Sequence, residues 1–369
     1  MIHLVDEQKI GPVNLVDPEQ GIHQGFLRIK GGCVDKVEIT GEEDPERPYV
    51  LPGFVDPHLH GAVGVDFMSA SEEDLERLEI FLRSKGVAGC LLTTVSASYD
   101  RILKALNMLN GYIRHHPGSI FKGVHLEGPY INPEKRGAHD PRYIKELNVE
   151  ELREVLSHPL VRLVTIAPEL EGFEEVVNIA KEHEVLLSIG HTTASFDVIK
   201  KAVEMGVKRF THLCNAMPLL HHRDVGPLGG AFLLEDTVAE IIVDGVHLSP
   251  EMVKLIYRLM DSRIELVTDA MAATGLNDGL YSLGSLEVRV KNGVARLHDG
   301  TIAGSTLTMD MAVVNYHAFT GAGHLEVMKV SSSNAAHELK LRNLGRICEG
   351  APLPLIEVGP RFEYLKVIE

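Results

Sequence analysis

The sequence predicts an α/β fold, a (β/α)8 TIM barrel that carries a small β-sandwich domain built from both termini. Two observations lead to this prediction. Between residues 51 and 270, eight short apolar runs alternate with amphipathic stretches, and the near-continuous apolar character of the runs is typical of parallel strands covered on both faces. The residues on either side of this region form short segments that alternate between apolar and polar side chains.

The two ends of the chain are expected to pair with each other. Residues 1–48 contain segments such as GFLRIKGGCVDKVEIT, whose alternation predicts antiparallel strands. Residues 344–369 end in PLPLIEVGPRFEYLKVIE and return to short strands. We therefore expect residues 1–48 plus 344–369 to form one small β domain and residues 49–343 to form the barrel.

The eight apolar runs are expected to be the barrel strands. They are LPGFVD (51–56), AGCLLTTV (88–95), FKGVHLE (121–127), VRLVTIAP (161–168), VLLSIGH (185–191), KRFTHL (208–213), AEIIVDG (239–245) and RIELVTDA (263–270). Helix starts lie between them: Ser71 with Asp74 forms a capping box, and Ser249 followed by Pro250 opens EMVKLIYRLM. A doubly wound open sheet is the alternative fold that the same alternation allows.

A further β element is predicted after the eighth run. The segment SLEVRVKNGVARL (285–297) alternates around Asn292-Gly293, a pair typical of a type I′ turn. We expect a hairpin insertion near residues 281–298. Helical patterns resume at Thr308.

Charge and hydropathy exclude some partners. The chain has 36 basic and 52 acidic side chains, and this net charge of −16 argues against nucleic acid and anionic membrane surfaces. The N-terminus lacks a basic region followed by an apolar run, and no stretch of about 18 uninterrupted apolar residues is present, so a cytoplasmic protein without membrane contact is expected. An anionic substrate would need a local positive pocket.

Side chains suited to metal binding recur where the predicted strands end. The residues are His58, His60, Glu127, His191, His212 and Asp269. Each alone has an ordinary explanation, such as a hydrogen-bonded core histidine or a helix-capping carboxylate. In a barrel, however, the carboxyl ends of all strands meet at one face, where imidazoles and carboxylates can share a cavity. The pattern therefore predicts a metal site at this face.

Several motifs together resemble a known family. They are PGFVDPHLHG, GVHLEGPYINPEKRGAHDP, SIGHTTAS, THLCNAMPLLHHRDVG, DGVHL, LVTDAMAATG and GTIAGSTLTMD. These segments are similar to those of the amidohydrolase superfamily and, within it, of the N-acetylglucosamine-6-phosphate deacetylases. The resemblance implies metal-dependent hydrolysis of the acetamide of N-acetylglucosamine 6-phosphate, which gives glucosamine 6-phosphate and acetate.

The resemblance also implies roles for the residues at the strand ends. Glu127, His191 and His212 would hold one tightly bound divalent ion, which could be Zn, Fe, Mn or Co, and Asp269 would be the catalytic acid and base. His58 and the histidine two residues later leave room for a second, more weakly held ion that shares Glu127.

The same resemblance implies a phosphorylated amino sugar as the small-molecule partner. The residues implied to contact it are Ala138, His139, Asn215, Ala216, Arg223, Asp244, His247, Ile302, Ala303 and Gly304. It further implies a homodimer in which Arg223 reaches into the site of the neighbouring subunit to hold phosphate.

Other functions fit parts of this pattern. A different amidohydrolase, such as a cyclic amidase or a deaminase, would share the metal site but lack the phosphate pocket. A catalytically inactive metal-binding scaffold would be expected to lack Asp269 or a metal ligand, and this sequence has all of them. A non-catalytic phosphosugar-binding regulator would bind its ligand without metal.

Overall fold

The structure is a computed structural model that describes residues 7–369, and its centre is a sheet of eight parallel strands arranged as a barrel. The barrel strands, in chain order, are Phe54–Leu59, Val87–Thr93, Phe121–Glu127, Val161–Ile166, Leu186–Ile189, Arg209–Phe210, Val238–Ile242 and Ile264–Val267. Each overlaps one of the eight apolar runs. The prediction of a (β/α)8 barrel is confirmed, and the doubly wound alternative is wrong.

The barrel closes through residues that follow the eighth strand. The backbone of Asp269 donates to the carbonyl of His58 at 2.9 Å, and that of His60 donates to the carbonyl of Ala270 at 2.8 Å. An isolated parallel bridge joins Leu59 to Ala270 at the same point. The closure brings Asp269 beside the two histidines of the first strand.

Helices surround the barrel strands. They are Glu72–Ser84, Tyr99–His115, Val149–Leu156, Phe173–Glu182, Phe196–Glu204, Gly226–Leu233, Pro250–Met260 and Met309–Thr320, followed by the short helices His324–Met328 and Asn334–Glu338. The predicted capping box is confirmed, because the Ser71 side chain accepts from the Asp74 backbone and the Asp74 side chain accepts in return. The Ser249 side chain likewise accepts from the backbone of Met252. No helix within residues 7–369 is long and apolar enough to span a membrane.

Strands from both ends of the chain form one six-stranded sheet. Its order is Leu365–Ile368, Leu355–Val358, Tyr49–Pro52, Gln8–Asp17, Gly21–Lys30 and Cys33–Glu42. The strand Tyr49–Pro52 pairs with an N-terminal strand on one side and with a C-terminal strand on the other. This strand joins the two groups of strands, and the backbone of Val34 on the last strand of this order donates to the carbonyl of Ala351 at 2.8 Å, so the order folds back on itself. The predicted small β-sandwich domain built from both termini is confirmed in the described residues.

The insertion after the eighth barrel strand is a three-stranded antiparallel sheet. Its strands are Gly279–Leu283, Leu286–Lys291 and Val294–Arg296. Asn292 and Gly293 have φ angles of 52° and 73°, as a type I′ turn requires. The sequence prediction of a hairpin omitted the first strand. The backbone of Gly284 donates to Asp66 Oδ2 at 2.6 Å, which ties the insertion to the loop after the first barrel strand.

Four aromatic rings stack between the terminal sheet and the last barrel helices. Tyr49 of the sheet lies 3.6 Å from the ring of His324 at an interplanar angle of 7°. His324 stacks on Phe362 at 4.3 Å, and Phe362 stacks on His317 at 4.0 Å. The stack links the barrel helix Met309–Thr320 to the segment between the two C-terminal strands.

Candidate active site

The carboxyl ends of the barrel strands bring the predicted metal-type side chains together. Each of these residues lies in a strand or within two residues of its end, and they are His58, His60, Glu127, His191, His212 and Asp269. All six are buried. Because parallel strands of a barrel end at one face, residues up to 211 positions apart in sequence become neighbours, as His58 and Asp269 are here.

Glu127, His191 and His212 form the most compact group. Glu127 Oε1 lies 3.1 Å from His191 Nε2 and 3.0 Å from His212 Nε2. The two Nε2 atoms are 3.1 Å apart. Tetrahedral ligands at about 2.0 to 2.1 Å from an ion are separated by about 3.3 Å. The three atoms are therefore spaced like ligands of one small metal ion.

Hydrogen bonds on the far side of the rings identify the ligand atoms. The Nδ1 atom of His60 lies 3.2 Å from the carbonyl oxygen of Thr93, and that of His191 lies 2.7 Å from the carbonyl oxygen of Lys135. A carbonyl only accepts, so each Nδ1 carries a hydrogen, and Nε2 is the nitrogen that presents a lone pair when the ring is neutral. These lone pairs face carboxylate oxygens of Glu127 at 3.4 and 3.1 Å. A cation between them resolves the contact of acceptor with acceptor, so a divalent ion fits this residue set.

The ring of His58 is oriented in the same way, with Nδ1 against an acceptor and Nε2 towards the carboxylates. Its Nδ1 lies 2.9 Å from Glu240 Oε2, and its buried Nε2 has no hydrogen-bond partner among the described residues. That Nε2 lies 3.6 Å from both Glu127 Oε1 and Asp269 Oδ1. His60 Nε2 lies 3.1 Å from the same Asp269 oxygen. These residues fit a second ion that would share Glu127 with the first.

The electrostatic field of the site favours positive charge. Burial alone would lower the pKa of His60, but the carboxylates of Asp269 and Glu127 outweigh burial and raise this pKa to about 9. Burial opposes ionisation of Glu127, yet the surrounding histidines, His58 first, hold its pKa well below the usual range. The shift at His60 arises from carboxylate charge that a bound cation would neutralise, and the shift at Glu127 arises from the imidazoles that surround it.

His139 differs from the other histidines of the site. The Ser96 backbone donates to His139 Nδ1 at 3.1 Å, so the ring hydrogen must lie on Nε2. Nε2 lies 3.4 Å from Glu127 Oε2. Burial, as the largest effect, lowers the pKa of His139 to about 4 and keeps the ring neutral. The arrangement makes His139 a hydrogen-bond donor at the site and not a metal ligand.

A cavity of about 230 Å³ opens over these side chains. Besides metal-type residues, its lining includes seven of the residues predicted to contact substrate: Ala138, His139, Asn215, Ala216, His247, Ile302 and Gly304. Val95, Leu283 and Thr301 also line it, and sequence reasoning did not select them. Within residues 7–369, no lysine or arginine lines this cavity.

The other three predicted contact residues lie outside the cavity lining. Asp244 accepts a hydrogen bond of 2.7 Å from His247 Nδ1, so it orients a lining residue. Ala303 is fully buried next to lining residues. Arg223 is exposed on the loop after the sixth strand, with Nη1 2.8 Å from His222 Nε2. The structure does not bring Arg223 into the cavity of its own chain.

The backbone at the site is unusual. His191, His212, Ala216 and Asp269 have φ angles of 46°, 29°, 51° and 49°. Left-handed backbone costs about 1 to 3 kcal/mol at a residue other than glycine, and it concentrates at functional sites. Sequence patterns alone gave no indication of these conformations.

Comparison with known proteins identifies the family. A model of the amidohydrolase family matches residues 49–367, which include the whole barrel. The chain belongs to the amidohydrolase family. All of the strand-end residues described above lie within the matched range.

Individual relatives are similar over most of this amidohydrolase. An N-acetylglucosamine-6-phosphate deacetylase from Lysinibacillus sphaericus is 37% identical over 333 residues, which cover 89% of this chain and 84% of the relative. The solved structure of the deacetylase of the same name from Thermotoga maritima is 43% identical, covers 98% of this chain and 97% of that one, and gives a TM-score of 0.90. A structure from Mycobacterium smegmatis, an aspartate-to-alanine mutant of N-acetyl-D-glucosamine-6-phosphate deacetylase in complex with N-acetyl-D-glucosamine-6-phosphate, is 30% identical, covers 98% and 97%, and has a TM-score of 0.89. These similarities confirm the predicted fold.

Sequence reasoning missed a charged group beneath the site of this amidohydrolase. Arg209, Glu240 and Glu265 lie on strands six, seven and eight and are buried. Their signal was present in the sequence, because each is a charged residue inside an otherwise apolar strand run. Charged side chains are rarely fully buried unless they are paired.

Proposed function

We propose that this amidohydrolase removes the acetyl group of N-acetylglucosamine 6-phosphate and releases glucosamine 6-phosphate and acetate, a reaction of amino-sugar catabolism. The observation that carries the proposal is the carboxylate of Asp269, which borders the cavity within 3.6 Å of two histidine Nε2 atoms. Two of the relatives described above carry the name N-acetylglucosamine-6-phosphate deacetylase, which supports this proposal.

The reaction needs help because an acetamide is a poor electrophile and water is a poor nucleophile. A divalent ion held by Glu127, His191 and His212 would supply Lewis acidity, which lowers the pKa of water and polarises a carbonyl. Asp269 is placed to take the proton of the attacking water on a carboxylate oxygen. It then returns this proton to the departing amine nitrogen, so one carboxylate acts as base and then as acid.

His139 is suited to bind the substrate carbonyl. Its Nε2 carries a hydrogen because Nδ1 accepts from the Ser96 backbone. A neutral donor that is already oriented strengthens its hydrogen bond as negative charge develops on the carbonyl oxygen. We therefore assign His139 to orientation of the acetyl group and stabilisation of the developing oxyanion.

The remaining lining residues are proposed to hold the sugar. Asn215, Ala216 and His247 lie on loops after strands six and seven, and Ile302 and Gly304 line the same cavity. Asp244 accepts a hydrogen bond from Nδ1 of His247, which leaves Nε2 of His247 to contact a sugar or phosphate oxygen. We propose that Ala303 supports this wall from behind, because its side chain is fully buried.

We propose that the phosphate is held by Arg223 of a second subunit in a homodimer. In the part of the chain that the structure describes, no lysine or arginine lines the cavity, although a phosphate dianion calls for a cationic partner. Arg223 is exposed, and the neighbouring Leu219 and Leu220 have exposures of 83% and 55%. Exposed apolar residues next to an exposed arginine are typical of an interface.

A mixing experiment tests this assembly. Arg223→Ala and Asp269→Asn subunits should each have low activity on the phosphorylated substrate. Verified heterodimers should recover part of the activity, because one of their two sites combines an intact Asp269 with an intact Arg223. Heterodimers with no recovery would refute supply of Arg223 across subunits.

The proposed metal content is one tightly bound ion and one weaker ion. Glu127, His191 and His212 supply the primary position, and His58 with His60 supplies the second. The identity of the ion, among Zn, Fe, Mn and Co, is a matter for metal analysis of protein purified without added metal. Imidazole and carboxylate ligands suit all four.

We further propose a cytoplasmic location, because phosphorylated sugars do not cross membranes unaided and the substrate must be present where the enzyme is. Cell fractionation tests it.

We also propose two domains, residues 1–48 plus 344–369 and residues 49–343. The pairing of Tyr49–Pro52 within the terminal sheet favours moving the boundary from residue 48 to Gly53. Residues 1–6 lie outside the described residues.

Acetate release from N-acetylglucosamine 6-phosphate, with and without chelator, tests the proposed reaction. We expect acetate to be released, to be lost after metal removal and to return when metal is restored. Unphosphorylated N-acetylglucosamine and the 4-epimer, N-acetylgalactosamine 6-phosphate, are the specificity controls. Ammonia release or turnover of cyclic amides without acetate would favour the deaminase or cyclic-amidase alternative. Metal-independent binding without turnover would favour a regulator.

A further inference from the structure

Three charged side chains form a buried group directly beneath the metal-type residues. Arg209 donates from Nη2 and Nε to Glu240 Oε1 at 3.0 and 3.3 Å, and it also pairs with Glu265. The exposures of Arg209, Glu240 and Glu265 are 3%, 0% and 0%. Burying such a group is costly, so its retention in the barrel interior calls for a function other than stability.

Glu240 connects this group to the active site. Its Oε1 atom is taken up by Arg209, which leaves Oε2 for the site. Oε2 accepts from the His58 ring at Nδ1, at 2.9 Å, and lies 3.4 Å from the backbone nitrogen of His212. One carboxylate therefore contacts a proposed ligand of each metal position, but it contacts a ring only at His58.

The contact determines which nitrogen of His58 can bind metal. A carboxylate paired with a guanidinium accepts hydrogen bonds, so the hydrogen of the His58 ring lies on Nδ1. Nε2 then presents a lone pair, and this atom lies 3.6 Å from Glu127 Oε1 and 3.6 Å from Asp269 Oδ1. The ring of His125 packs edge-on against His58 at 4.5 Å and restricts its rotation.

We propose that Glu240, held by Arg209, is a positioning residue for the second metal position and fixes the ring and the proton of His58. A carboxylate behind a ligand histidine raises the basicity of the ligand nitrogen and commonly changes metal affinity by about 10- to 100-fold. Glu240 also places negative charge behind a position that has few charged ligands of its own. The inference rests on the two metal positions proposed above. It adds that Glu240, which is not itself a ligand, controls how tightly the second position holds its ion.

The test is titration of metal-free full-length protein with Co²⁺, followed by ligand-field absorption and by metal analysis after gel filtration. Glu240→Gln removes the charge while Arg209 keeps Glu265 as its ionic partner, so no buried guanidinium is left unpaired. We expect the first equivalent to bind as in the wild type and the second to bind about 10- to 100-fold more weakly. Glu265→Gln is the matched control, because it is equally buried and contacts Arg209 but not His58. It should bind both equivalents as the wild type does.

Three outcomes would overturn the proposal. They are an unchanged second equivalent in folded Glu240→Gln protein, equal weakening of both equivalents, and equal weakening of the second equivalent in the Glu265→Gln control. If Glu240→Gln does not fold, the wild type loaded with two equivalents of Zn²⁺ and labelled with ¹⁵N-histidine serves instead. The signal that disappears in His58→Gln should report a hydrogen on Nδ1, and a hydrogen on Nε2 would overturn the proposal. Neither measurement uses substrate, so a failure of the proposed reaction is seen separately in the acetate assay.

Discussion

Replacing Asp269 by asparagine is the most direct test of the proposed chemistry. The side chain keeps its size and loses its charge and its ability to carry a proton. The backbone of residue 269 is fixed independently of the side chain, by donation to the His58 carbonyl at 2.9 Å and acceptance from Ser305 at 2.7 Å. We therefore expect Asp269→Asn to fold with the site backbone unchanged.

The expected loss is set by what the carboxylate does. General acid and base catalysis is worth about 10² to 10⁴-fold, or about 2.7 to 5.4 kcal/mol of transition-state stabilisation. The primary metal position does not depend on Asp269, because Glu127, His191 and His212 are spaced 3.0 to 3.1 Å from one another without it. The variant should thus lose kcat by that factor while it keeps one bound ion.

The assay is acetate release under saturating substrate, combined with metal analysis and calorimetric titration of N-acetylglucosamine 6-phosphate. Substrate affinity within about threefold of the wild type would show that binding survives without turnover. Retention of more than about a tenth of wild-type kcat would refute the acid and base role. A variant that loses its metal together with its activity would instead make Asp269 a ligand of the primary position.

Three further predictions address phosphate, metal and stability. Arg223→Ala should raise KM for N-acetylglucosamine 6-phosphate by about tenfold to a hundredfold and leave the use of unphosphorylated N-acetylglucosamine nearly unchanged, and an equal effect on both substrates would contradict a phosphate contact. The double variant His58→Gln and His60→Asn should retain one metal per subunit and substantial activity, whereas His191→Ala should lose both; a double variant purified metal-free and inactive would reverse this order. Burial in the ring stack lowers the pKa of His324, and the neighbouring His317 lowers it further. Together these effects outweigh the nearby carboxylates of Glu43 and Glu363, which raise the pKa. The neutral ring is therefore favoured in the folded protein, and its stability contribution is complete above the unfolded pKa of about 6.5 and is lost as pH falls below it. Melting temperatures between pH 7.5 and 5 should fall less in His324→Phe than in the wild type, and parallel curves would exclude His324 as a source of acid sensitivity.

The barrel could be predicted because its signals are local. Each strand is an apolar run that can be recognised without knowledge of its neighbours, and helix caps such as Ser71 with Asp74 depend on residues three positions apart. The terminal sheet was harder because its arrangement depends on pairing between distant segments. The expected boundary after residue 48 places the strand Tyr49–Pro52 on the barrel side, since in sequence this strand continues directly into the first barrel strand.

The site could be predicted to the level of residue type and strand end, and no further. Which nitrogen of a histidine carries the hydrogen depends on a partner across the barrel, such as Thr93 for His60 or Glu240 for His58. His139 illustrates the limit, because only its contact with Ser96 distinguishes a donor from a ligand. These relationships are three-dimensional, and spacing along the chain does not encode them.

The left-handed backbone at His191, His212 and Asp269 restricts how this site can change. Apart from glycine, the residues that adopt such backbone most readily are asparagine, aspartate and histidine. At these three positions coordination chemistry and backbone geometry therefore select from nearly the same short set of residues. Glu127 lies on an extended strand and is under no such double constraint. Exchange of one ligand type for another, by evolution or by an engineer, has an easier route at Glu127 than at the turns that follow the later strands.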